Sequence, residues 1–198
     1  ESQISLEEWK NIKYVFLTYS LSFAFLVGWY SFIFILLFIF LYHIYSTPPL
    51  RLKRFLGISS FLIAVNALLA VWMGFFMTAG TENLNAFPAK YAFGILGIFL
   101  LAENIKNIKD IEGDKLEGIK TLPVILGEKK GKLAVGLCLF LATLLVPFVF
   151  YLSLYTFLEA LFFGLILFWL VNRKNFKEKY IFLTYFVYVI IFFILMNL

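Results

Sequence analysis

The sequence predicts an all-α protein, a polytopic transmembrane bundle of about seven spans in one domain. Three observations carry that prediction. Hydrophobic residues fill 63% of the 198 positions and charged residues only 15%, at a mean hydropathy of +0.93, a balance that suits lipid better than water. The apolar residues fall into seven runs, each near the roughly 20 positions a spanning helix needs. The cations gather on alternate connections between those runs, as crossing at every run requires.

The elements follow in order. Runs 11–27 and 30–46 are coupled, with "VGWY" (27–30) as their turn. Runs 57–79, 89–106, 132–152, 155–171 and 180–197 complete the set. They are long and uninterrupted and lack the alternation of a membrane strand, so helices are expected throughout. Helices also pair their own backbone groups, which lipid demands. The 26 Phe read as lipid-facing and packing bulk. Cys138 is the single cysteine, which excludes an intrachain disulfide. His43 is the single histidine and reads as a packed helix residue. The N-terminus opens with acids and polar residues and does not read as a signal peptide.

Four regions share one side in this plan: 1–13, 47–56, 103–131 and 172–179. With Lys132 they hold 16 of the 17 Lys and Arg residues, leaving Lys90 across the membrane. The positive-inside rule places those basic loops in the cytoplasm. The net charge of +5 is then a topology signal, and it calls for no nucleic acid.

Two loops on the basic side stand out. "YSTPPLRLKR" (45–54) pairs two prolines, which end the helix, with Arg51, Lys53 and Arg54. It reads as a topology anchor or as a stiff anion site. "NIKDIEGDKLEGIKTLPVILG" (107–127) is dense in acids, lysines and glycines. If the preceding helix continues, Glu103, Asn107, Asp110 and Asp114 share one face. Stacked carboxylates repel, and a hard cation such as Mg²⁺, together with phosphate oxygens, relieves the conflict. Lys115 and Lys120 flank the acids as point charges for a phosphate. A solvated loop of mixed charge is the alternative reading of the same run.

Both strings resemble loops of the UbiA-type intramembrane prenyltransferases, and the resemblance covers nearly the whole chain. It implies a helical bundle, usually of nine spans, that binds a prenyl diphosphate through Mg²⁺ held by two Asp-rich motifs. It implies transfer of the prenyl group to a lipophilic acceptor, at an aromatic ring or a hydroxyl, inside the membrane. Carried over, Asp110 and Asp114 match acids of the second motif, as catalytic and metal-binding residues. Asn107 stands where the family usually has Asp, and it offers a neutral oxygen to the metal. Tyr45, Arg51, Lys53, Lys115 and Lys120 match substrate-facing positions. Asn66, a polar residue within a span, is expected either to line the cavity or to bond a neighbouring helix.

The resemblance also carries a departure. A first motif of the form "NDxxDxxxD" does not occur in the sequence. "SQISLEEW" (2–9) resembles the stretch just after it. The expectation is a single prenyltransferase-like domain over 1–198, incomplete at its N-terminus, starting as the family's third span begins. A degenerate, non-catalytic relative that binds isoprenoid lipid is the alternative. A small transporter ranks below both, because the spans carry few polar or broken segments.

Overall fold

The computed structural model describes residues 5–81 and 83–197, with the side chains of all but Leu6 and Lys10. Seven long helices follow one another: α1 (Leu6–Val27), α2 (Trp29–Ser46), α3 (Ile58–Ala79), α4 (Ala89–Ala102), α7 (Glu128–Val149), α8 (Leu154–Asn172) and α9 (Glu178–Met196). Two short helices, α5 (Ile111–Leu116) and α6 (Leu122–Leu126), lie between α4 and α7. Three 3₁₀ turns, Leu52–Arg54, Leu84–Ala86 and Glu103–Ile108, complete the elements among the described residues. No strand occurs among the described residues, so the all-helical, polytopic expectation holds.

Six of these segments are long and apolar enough to cross a membrane: α2, α3, α4 with its 3₁₀ extension, α7, α8 and α9. The first of the seven expected spans is a helix but does not join them. Glu7 and Glu8 occupy its first turn, and Lys13 follows within the helix. Ser5 caps this end in a reciprocal box: its hydroxyl accepts the Glu8 N–H, and its own N–H donates to the Glu8 carboxylate. A box of this kind suits a helix end in a polar layer. Residues 2–4 of "SQISLEEW" lie outside the described residues.

Gly28 alone separates α1 from α2. Its φ of 152° lies where L side chains rarely go, so glycine allows the abrupt reversal. Phe25 and Phe32 meet edge to face across the turn, 5.7 Å between ring centroids. Tyr30, Phe34, Trp72 and Phe76 then seal α2 against α3.

The second half packs more closely. Lipid tails are as apolar as leucine, so helices associate by fit rather than by escape from water. Small residues give that fit. Ala142 of α7 and Ala160 of α8 are fully buried. A Cβ on Gly164 would stand 2.9 Å from the Phe140 ring, and one on Gly94 2.4 Å from the Val149 methyls. Pro147 interrupts α7 and leaves the Thr143 carbonyl without its helical donor. The hydroxyl of Tyr188 on α9, itself fully buried, donates to that carbonyl at 3.1 Å. A polar backbone group deep in the bundle is thus satisfied from a neighbouring helix.

Three connections meet at one end of the bundle. Lys106 Nζ donates to the Tyr45 hydroxyl at 3.3 Å. Lys109 pairs with Glu178 at 2.7 Å. The Lys120 N–H donates to the Arg54 carbonyl at 3.2 Å. The regions that the charge count places together, 47–56, 103–131 and 172–179, are therefore neighbours.

Candidate functional site

The 107–127 run does not continue α4 as a regular helix. From Glu103 the chain tightens into a 3₁₀ turn, and α5 starts after Asp110. The four-residue face expected for Glu103, Asn107, Asp110 and Asp114 is thereby split. In a 3₁₀ turn residues three apart eclipse, so Asn104 with Asn107, and Ile105 with Ile108, turn inward and are buried. Those two isoleucines dock on Val135, Leu139 and Ile181, and this apolar anchor overrides α-helical spacing. Asp110 is left exposed and Asp114 half-buried.

Asp110 and Asp114 still act on each other. Burial, and then the Asp110 charge, push the Asp114 carboxyl above its ordinary range; Thr121 and Lys53 pull it back by less. Asp110 and Asp114 offer carboxylate oxygens of the kind a hard divalent ion takes, whereas the Asn107 side chain is turned inward and buried. No group of three or more Asp, Glu, His or Cys fit to hold a metal occurs among the described residues.

After α5, Gly118 turns the chain back in the left-handed conformation, φ 69°. The Gly118 and Ile119 N–H groups bond to the Lys115 and Asp114 carbonyls, a glycine stop of Schellman type. Ile119 and Thr121 are then buried. The same turn carries Glu117 to the basic loop. Its carboxylate accepts from Arg51 at 2.5 Å and from Lys53 at 3.2 Å. Lys53, Arg51 and Arg54 together hold the Glu117 carboxyl below its usual range. Arg51 itself is a non-glycine residue in the left-handed region, φ 40°.

Below these loops, Glu103 has only 4% of its side chain exposed and lies 3.1 Å from Lys106 Nζ. It also accepts a hydrogen bond from Ser60. This pair lines one end of an apolar cleft of about 330 Å³ walled by Ile63, Phe99, Leu139, Ile181 and Tyr185. A second cleft, about 370 Å³, shares Ile98, Phe99 and Tyr185 with the first and extends along α9 to Met196. Together the two clefts line apolar surface between α3, α4, α7 and α9, with Glu103 and Lys106 as the charged residues in the wall of the first.

The remaining expected residues are spread around this centre. Tyr45 joins it through Lys106. Lys115 and Lys120 are exposed, and Lys115 faces Glu128 electrostatically. Asn66 lines neither cleft; its Oδ1 is buried and has no hydrogen-bond partner among the described residues. Sequence reasoning missed the Ser60–Glu103–Lys106 network and the role of Glu117 as a bridge. The acids were visible, but partners 43 and 66 positions away carry no sequence signal.

A helical bundle with six segments long and apolar enough to span defines a polytopic integral membrane protein. The family comparison is specific: the model of the UbiA prenyltransferase family matches residues 1–196, and the chain belongs to that family. It is 44% identical over 52 residues to a digeranylgeranylglyceryl phosphate synthase of Methanosarcina barkeri, covering 26% of this chain and 18% of that protein. A protein of the same description from Sulfolobus acidocaldarius is 33% identical over 98 residues, 47% of this chain and 34% of the relative. The chloroplastic chlorophyll synthase of Arabidopsis thaliana is 28% identical over 90 residues, 46% of this chain and 23% of the relative. The matched stretches thus span about a third or less of these relatives. No solved structure matches the chain.

Proposed function

We propose that this chain carries out Mg²⁺-dependent transfer of a prenyl group from a polyprenyl diphosphate to a lipophilic acceptor, at an aromatic ring or a hydroxyl, in the membrane. The observation that carries this reading is the meeting of the Arg51 and Lys53 cations with the Asp114 and Glu117 acids, on loops at the bundle end where Lys106 bonds Tyr45 and lines an apolar cleft with Glu103. The tail would lie in the groove and the diphosphate among the charged loops, with the loops in the cytoplasm by the positive-inside rule.

In this reading Arg51, Lys53, Lys115 and Lys120 receive the diphosphate and balance the charge it gains as the allylic C–O bond breaks. Asp110, Asp114 and the Asn107 amide oxygen are the residues that would hold magnesium, which when bound supplies further positive charge against the leaving group. The faces of Phe99 and Tyr185 in the groove suit a carbocation-like prenyl group, and the groove keeps water from it. The diphosphate leaves with the electron pair of the allylic C–O bond, the acceptor oxygen or ring carbon forms the new bond to that carbon, and the acceptor proton passes to the departing diphosphate.

The test is prenyl transfer by the chain in lipid nanodiscs, with labelled prenyl diphosphates and Mg²⁺. Asp110→Asn and Asp114→Asn should each lower the rate by about 100-fold or more. Unchanged rates in both would overturn the assignment. A second reading, an isoprenoid-binding relative without turnover, draws on Asn107 and the small acid count. It predicts saturable binding of the same diphosphates with no product.

A further inference from the structure

We propose that Glu117 is an internal competitor at the diphosphate site, an anion that occupies Arg51 and Lys53 until a diphosphate displaces it. This rests on the functional reading above and adds a residue to it. The geometry is specific. Arg51 and Lys53 converge on the same Glu117 oxygen, Oε2, from a loop more than 60 residues away. The two cations are largely covered, with 23% and 27% of their side chains exposed, whereas Glu117 is 49% exposed. The carboxylate is therefore the more accessible side of each pair, within reach of solvent for exchange with another anion.

Three cations facing one another without an anion repel. Arg51, Lys53 and Arg54 all act on Glu117, and its single charge offsets part of that repulsion. A diphosphate carries more charge and more acceptor oxygens, and the guanidinium fork suits phosphate as well as carboxylate. Exchange of one anion for the other keeps the cations paired throughout. Glu117 is not needed to keep the loops in register. The Lys120 N–H to Arg54 carbonyl bond joins them independently, and buried Ile119 and Thr121 anchor the acidic loop. Removing the Glu117 charge should therefore leave the cations in place and without their competitor.

The experiment is calorimetric binding of inorganic pyrophosphate with Mg²⁺ to the chain in nanodiscs. Glu117→Gln should tighten binding about three- to tenfold, the range expected from two partly exposed ion pairs. The gain should vanish when Arg51→Gln and Lys53→Gln are already present, which a general charge effect or a folding defect would not produce. Glu7→Gln, which removes an exposed acid from the first turn of α1, should leave binding unchanged. Equal or weaker binding by Glu117→Gln overturns the proposal, as does an equal gain in the Arg51→Gln/Lys53→Gln background. If the wild type itself binds no pyrophosphate, or binds it as well after Asp110→Asn and Asp114→Asn, the diphosphate reading falls instead.

Discussion

Asp114 and Glu117 lie one helical turn apart, and their surroundings shift the two carboxyls in opposite directions. Burial and Asp110 raise the Asp114 carboxyl, so its contribution to stability is present at low pH and is lost as pH rises through its folded value. Lys53 and Arg51 lower the Glu117 carboxyl, so its contribution is present above the ordinary carboxylate range and is lost as pH falls through its folded value. Without divalent cations, Asp114→Asn should gain melting temperature over the wild type as pH climbs from acid to neutral. Glu117→Gln should lose it over the same interval. Thermal unfolding in detergent with a chelator reads both, and parallel pH profiles for the two variants would contradict the assigned causes. The sequence shows both acids, yet their opposite behaviour depends on which cations fold beside them.

Among the elements, α6 and the start of α7 bind the acidic loop to the bundle. A Cβ on Gly131 would stand 2.4 Å from the Pro123 Cα, a backbone atom that no rotamer change can move aside. Gly131→Ala should therefore push α6 away, loosen Thr121 and Ile119, and cost about 1–3 kcal/mol. Gly113→Ala is the matched control, since a Cβ there meets nothing within 4 Å. Equal melting temperatures for the two would refute the close approach. The helices themselves were legible from apolar run length: 57–79 and 89–106 were read within a residue or two of α3 and of α4 with its 3₁₀ turn. The 3₁₀ turn at Glu103–Ile108 was not legible, because the pull of Val135 and Leu139 on Ile105 and Ile108 is a tertiary effect.

For the whole molecule, the ion pairs predict a sidedness that labelling can check. Single cysteines at Phe55, Leu116 and Lys174, in a Cys138→Ala background, should react with an impermeant thiol reagent from the same side of a sealed vesicle. Cysteines at Leu84 and Leu152, both exposed and on the opposite connections, should react only from the other side. A mixed pattern would break the bundle's topology.

The sequence by itself determined that the chain is a helical membrane protein, where its helices run, which loops carry charge and which family's loops they resemble. Those properties follow from composition, run length and local motifs, which need no knowledge of the fold. Only the tertiary structure decided that Asn107 turns inward while Asp110 stays exposed. It also decided that Glu103 is buried at the groove and that Glu117 bridges Arg51 and Lys53. Each of these depends on contacts between residues distant along the chain, and local spacing does not encode which loop end folds against which.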